Sequence, residues 1–90
     1  MPGPRLNQPI MKITVSLKLF ASLAKYKPCD DGPTCYVTVP VGTTVADLAR
    51  DLAVPVEKVR MILINEATCD LETVLAEGDY IVLFPTIAGG

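Results

Sequence analysis

Glu77-Gly78-Asp79-Tyr80-Ile81-Val82-Leu83-Phe84-Pro85-Thr86-Ile87-Ala88-Gly89-Gly90 is the stretch on which the reading of this chain turns. Glu77-Gly78-Asp79 has the composition of a tight turn. Tyr80 to Phe84 is apolar throughout, the pattern of a strand buried on both faces inside a sheet. Pro85 has no N–H to give to a ladder, so the strand stops there. Residues 85–90 then form a tail with no charged side chain, and its last two residues have no side chain at all. Chain ends are usually frayed and tolerant of change, so the rest of the chain has to say whether this tail is the working part.

Working outward, Met11 to Phe20 alternates. Ile13, Val15, Leu17 and Leu19 share one face, with Lys12, Thr14, Ser16 and Lys18 on the other, which predicts a strand with one buried face. Phe20 to Tyr26 reads as a short helical turn with Phe20 and Leu23 toward the core. Lys27 to Pro33 is turn-rich, with Asp31-Gly32 at its tip. Cys35 to Val39 is a second strand, returning antiparallel to the first. Pro40 to Thr44 breaks it and opens a helix, with Thr44 and Asp47 at capping spacing. Val45, Leu48, Ala49 and Leu52 fall at i, i+3, i+4 and i+7, one apolar stripe. Pro55 ends that helix near Ala53, and Pro55–Val59 adds one more helical turn. Met61–Ile64 is a short buried strand and Asn65-Glu66 a turn. Cys69–Ala76 is irregular, with a small strand and a helical turn around Leu71–Leu75. One helix must cover one face of a four- to five-stranded mixed sheet, an α+β domain.

The chain has 90 residues, half of them hydrophobic and a fifth charged, which suffices for one small core. We read residues 1–10, with Pro2, Pro4 and Pro9, as a flexible leader, residues 11–84 as the domain and residues 85–90 as a flexible tail. Net charge is −2 with no basic run and no Trp, which argues against nucleic acid. No apolar run approaches the ~18 residues of a membrane span, and the N-terminus lacks a signal-peptide core, so the expected location is cytoplasmic. There is no His, which removes the commonest general base. Cys29, Cys35 and Cys69 lack zinc spacing, so no metal site is expected. Cys29 and Cys35 are near enough to meet across a loop, but a cytosolic pair is normally reduced, and all three are read as free thiols. Any catalytic groups are therefore expected to come from a partner.

Three segments carry a resemblance: Val15-Ser16-Leu17-Lys18-Leu19-Phe20-Ala21-Ser22-Leu23-Ala24, Val41-Gly42-Thr43-Thr44-Val45-Ala46-Asp47-Leu48, and Glu77 to Gly90. Together they resemble the MoaD/ThiS-like ubiquitin-fold sulfur carriers, and the likeness is greatest to MoaD, the small subunit of molybdopterin synthase. The first two segments suit any β-grasp domain. The third is specific, because it ties Gly-Asp, a strand, Phe-Pro and Gly-Gly together at fixed spacing. Three features depart from the family pattern: Thr86 stands where a second proline is usual, the loop Lys25–Pro33 carries a cysteine, and the leader is extra.

The resemblance implies a ubiquitin-like β-grasp fold and a carrier that is not itself an enzyme. The carboxyl of Gly90 is adenylated by a ubiquitin-activating-type enzyme, which uses the ATP and Mg, and is then converted to a thiocarboxylate. The carrier holds no cofactor of its own. Sulfur then passes to a pterin precursor in the large subunit of molybdopterin synthase, for the molybdenum or tungsten cofactor. Gly89 and Ala88 allow the tail to thread a narrow channel, since Gly tolerates close backbone approach. Phe84, Pro85 and Ile87 are the residues expected to touch partners. ThiS-like service to thiamine synthesis, and a protein modifier joined through Gly90, are the alternatives.

Overall fold

Residues 11–30 and 32–85 are described by the computed structural model of the chain. Strand β1 (Lys12–Leu19) pairs antiparallel with β2 (Thr34–Pro40), as the alternation required. Its inward residues Ile13, Val15, Leu17 and Leu19 are buried, and Lys12 and Thr14 on the other face are exposed. Helix α1 (Val45–Asp51) sets Val45, Leu48 and Ala49 into the same core. Strands β3 (Val59–Ile64), β4 (Ala67–Cys69) and β5 (Tyr80–Pro85) complete a five-stranded mixed sheet in the order β2-β1-β5-β3-β4. Strand β5 runs parallel to β1 and antiparallel to β3.

The helix start is held from two directions. The Thr44 hydroxyl accepts from the Asp47 amide at 3.1 Å and the Asp47 carboxylate accepts from the Thr44 amide at 3.2 Å, a capping box with Asp in the later place. The amides of Val45 and Ala46 donate to the carbonyls of Thr73 and Leu71, at 3.1 and 2.9 Å. The segment between β4 and β5, unremarkable as sequence, thus satisfies donors that a helix start leaves open.

The short helical turn expected after β1 is present, the one expected around Leu71–Leu75 is not formed, and two further features differ from the sequence reading. A 3₁₀ segment, Ala21–Tyr26, follows β1 and buries Leu23 completely. Phe20, expected in the core, is only half-buried and lies on the side of the sheet away from α1, stacked on Phe84. Phe20 lies one residue past Leu19, whose side chain points inward, so continuing the alternation turns its ring outward. The second difference is that Cys29 and Cys35 are joined as a disulfide, with Cα atoms 5.7 Å apart. Leu23 anchors the 3₁₀ segment to the core and brings the following loop back over the start of β2, where Cys35 is buried.

Candidate functional site: the root of the tail

Strand β5 carries the tail, and both its ends are positioned by other elements. At the entry end, the Gly78 amide donates to the Thr14 carbonyl at 2.8 Å, with Gly78 at φ +83°, a left-handed conformation that favours glycine. The Glu77 carboxylate accepts from the Thr14 amide at 2.9 Å. The Asp79 carboxylate accepts from the Ala76 amide at 2.8 Å and from the Asn65 side-chain amide at 3.0 Å. Asn65, in the left-handed β3–β4 turn, also accepts from the Tyr80 amide at 3.0 Å. The Gly-Asp pair of the deciding stretch is thus a clamp that sets the register of β5 against β1.

Along β5 the two faces separate. Ile81 and Leu83, opposite Leu17 and Leu19, are buried on the helix side. Val82 lies on the other face between Lys18 and Leu63, and Phe84 is opposite Met61. At the exit end the Phe20 amide donates to the Leu83 carbonyl at 3.1 Å, and the Phe20 and Phe84 rings stack with centroids 4.6 Å apart. The Lys18 ammonium sits 4.6 Å from the Phe20 ring centroid. Pro85 is paired opposite Val59.

Here β3 carries a bulge. Val59 faces Pro85 and Met61 faces Phe84, so Arg60 is an extra residue with no partner in β5. Successive residues of a regular strand point to opposite faces, and a bulge re-aims one of them. As a result, Arg60 and Met61 line the same groove. That groove, of about 340 Å³, is bounded by Phe20, Ala21, Arg60, Met61, Phe84 and Pro85. Met61 is 44% exposed there.

Of the residues expected to act, the structure brings Phe84 and Pro85 together at this groove. Ile87, Ala88, Gly89 and Gly90 lie outside the described residues. The sequence reading misses Phe20, Met61 and Arg60 as partners of Phe84. It places Met61 on a buried strand, and the bulge leaves no local signal. Elsewhere, burial is the main cause pushing the Cys69 thiol up from its ordinary value, with Asp70 and Asp79 adding to the rise. Among the described residues, no group of His, Cys, Asp or Glu side chains is placed to hold a metal ion. No described helix is long and apolar enough to cross a membrane.

A mixed five-stranded sheet with one main helix on one face, and a C-terminal strand at its centre, defines a ubiquitin-like β-grasp protein. The chain belongs to the ThiS family, whose model matches residues 17–90. This ThiS/MoaD-type family consists of small ubiquitin-fold carrier proteins. The chain is similar to the small archaeal modifier protein 1 of Haloferax volcanii, at 27% identity and TM-score 0.63, over 86% of this chain and 99% of that one. A putative molybdopterin converting factor subunit 1 from Pyrococcus furiosus aligns at 19% identity and TM-score 0.62, over 83% and 99%. Subunit 1 of the molybdopterin-converting factor of Helicobacter pylori, solved in complex with subunit 2, aligns at 23% identity and TM-score 0.51, over 87% and 100%. At these identities the last two likenesses establish the fold. No curated protein matches the chain.

Proposed function

We propose that the protein is a sulfur carrier for molybdopterin synthesis, and that the carboxyl of Gly90 is the group it carries. A carboxylate is a poor electrophile. An adenylating enzyme of the ubiquitin-activating type joins it to the AMP portion of ATP and releases pyrophosphate. A sulfur donor then attacks the acyl carbon, AMP leaves, and a thiocarboxylate remains. That sulfur passes to a pterin precursor in the large subunit of molybdopterin synthase. ATP and Mg belong to the adenylating enzyme, and the carrier supplies only its own end.

The observation that carries this reading is the placement of β5. The central strand is clamped at its entry and brings Pro85 beside an open apolar groove, in a chain of the ThiS family. A rigid body with a docking face can then present a tail that spans at most about 20 Å when extended. Gly89 and Ala88 keep that tail narrow, and Phe84, Pro85 and Ile87 contact the partner. Residues 1–10 and 85–90 serve as leader and tail, and the place of action is the cytoplasm. The Helicobacter pylori complex of subunits 1 and 2 supports a partner of this kind.

The test is mass spectrometry of the full chain after incubation with its adenylating enzyme, ATP and a sulfur source. The expected result is the mass gain of one oxygen replaced by sulfur, on Gly90. An unchanged mass with a competent enzyme overturns the reading. Likeness to small archaeal modifier protein 1 favours a second reading, attachment to protein lysines through Gly90. Conjugates of higher mass in cells, lost when Gly90 is deleted, are its signature. Thiocarboxylate delivered to thiamine synthesis instead is the third outcome, distinguished by which pathway fails on deletion of the gene.

A further inference from the structure

The two edges of the sheet are unlike. Strand β4 has three residues, whereas β2, at the other edge, has seven and no charged side chain. Edge strands are commonly kept from pairing by being short or by carrying Lys or Pro. Strand β2 carries such a guard only at its end, Pro40. The direction of its hydrogen bonds follows from its neighbours. The Val41 amide donates to the Met11 carbonyl at 3.0 Å, while the Ser16 amide donates away from β2, to Asp79 at 2.9 Å. Odd-numbered residues of β1 and β2 therefore bond one another, and Thr34, Tyr36, Thr38 and Pro40 turn their main-chain groups outward. Pro40 has no N–H, and its carbonyl already accepts from the Thr43 amide and hydroxyl at 3.2 and 2.7 Å. The Thr34 carbonyl lies 3.8 Å from the Cys29 sulfur, so the disulfide-closed loop stands beside it. The open part of the edge is the N–H and C=O of Tyr36 and of Thr38, and no described strand lies beyond them.

These four groups are complementary to themselves. An antiparallel copy of β2, with its two-fold axis at Val37, sets Tyr36 against Thr38 of the copy and Thr38 against Tyr36. The two pairs make four hydrogen bonds and use every open group of both copies. A shift of register in either direction fails. Setting Tyr36 against itself puts Thr38 against the copy's Thr34, whose carbonyl the Cys29 loop flanks. Setting Thr38 against itself puts Tyr36 against the copy's Pro40, which cannot donate. The side chains agree with the central register. Tyr36 is 76% exposed, and it would lie beside Thr38 of the copy in an uncharged row that Ser16 and Thr14 extend. Val37, on the helix side, is only half-buried at this edge, and at the axis it meets Val37 of the copy.

We infer that β2 is a self-pairing edge, through which two copies of this chain join antiparallel at Tyr36 and Thr38 into one continuous sheet. A copy suits this edge better than a loose peptide, because both strands are already held extended and lose little freedom on pairing. A two-fold contact of this kind uses the same patch on both copies and closes at two. In the joined sheet the two β5 strands lie five strand spacings apart, about 24 Å, and run in opposite directions. Their Pro85 ends then lie at opposite ends of the sheet, so pairing leaves each tail root open. The pairing does not depend on what Gly90 carries.

The experiment follows the full chain, with its disulfide intact, by sedimentation equilibrium and by amide hydrogen exchange read by NMR. One strand pair falls well short of a standard interface of about 1,600 Å², so the dimer is expected to form between about 10 µM and about 1 mM. Over that range the Tyr36 and Thr38 amides are expected to slow in exchange by at least about tenfold. Thr38→Pro removes an outward donor without touching the β1 ladder, and two of the four bonds go, so dimerisation should weaken by at least about tenfold. Thr68→Pro is the matched control. The Asn65 amide donates to Tyr80 of β5, so Ile62 and Ile64 bond β4 and the Thr68 amide points off the opposite edge. It should leave the dimer unchanged. Tyr36→Lys keeps every main-chain donor and sets a cation on each side of the axis, and it should weaken the dimer as Thr38→Pro does. Thermal melts confirm that each variant is folded. A single monomeric species up to about 1 mM overturns the inference and leaves the edge to an extended peptide. A dimer that both β2 variants leave intact overturns it by placing the contact elsewhere. Tyr36 and Thr38 amides already protected in a monomer at about 10 µM would mean that another segment of the same chain covers the edge, with the same consequence.

Discussion

Ile81→Ala tests whether β5 is the strand on which the domain depends. Ile81 is 0% exposed, opposite Leu17 on β1 and Ile64 on β3. Truncation to Ala removes three carbons, about 2.4 kcal/mol at ~0.8 kcal/mol per methylene. The unfilled space raises this to about 3–4 kcal/mol, because the two flanking strands are held by their own ladders and relax only partly. Ile81→Val should cost about 1 kcal/mol. A domain of this size is stable by roughly 5–13 kcal/mol, so Ile81→Ala removes a large share of it. Urea unfolding followed by circular dichroism measures the loss, with Val74→Ala as a control. Val74 is 57% exposed, so the control should fall within about 0.5 kcal/mol of wild type. Melting should drop on the order of 20 °C for Ile81→Ala. A loss below about 1 kcal/mol, or one no larger than the Val74 control, would refute the account of β5 as the central buried strand. Ile81 faces the helix and Phe84 the groove, so the two substitutions should separate stability from partner binding.

Three further outcomes follow from the local geometry. Hydrogen bonding to the Thr44 amide, then to Arg50, holds the Asp47 carboxyl below its ordinary value. The ionised form is therefore favoured in the folded protein. The stability difference between wild type and Asp47→Asn should be full near neutral pH and vanish as pH falls through the lowered folded value; a difference unchanged into acid would count against this. Thr44→Ala, which removes the reciprocal half of the box, should cost about 1 kcal/mol in the same assay. The Cys29–Cys35 disulfide closes a loop with a sequence separation of 6. In the chain-entropy description such a loop contributes about 2 kcal/mol. A dithiol reductant should lower the urea midpoint of wild type to that of Cys29→Ala and leave the variant unmoved. Equal midpoints for oxidised wild type and Cys29→Ala would show that the crosslink contributes nothing.

Elements whose signal is local are legible in the sequence alone. The alternation of β1, the stripe Val45-Leu48-Ala49 and the Thr44–Asp47 cap each follow from the period of a single strand or helix. The likeness of Glu77–Gly90 to one carrier family belongs here too, because its motif is continuous in the chain. Features that depend on two distant segments are not legible in this way. The outward turn of Phe20 matters only because Phe84 lies across from it. The disulfide depends on where Leu23 anchors the loop. Strand β4, three residues long, exists because β3 offers it an edge.

The domain class, the central place of Tyr80–Phe84 and the plain chemistry of the tail are legible in the chain alone, since these rest on hydrophobic period, turn residues and the absence of His. What stands beside the tail root is set by contacts between distant segments. Met61 pairs with Phe84 and Arg60 is displaced onto the same groove through the register of β3 against β5. That register comes from long-range strand pairing, and a single unpaired residue within it reverses which face a side chain meets.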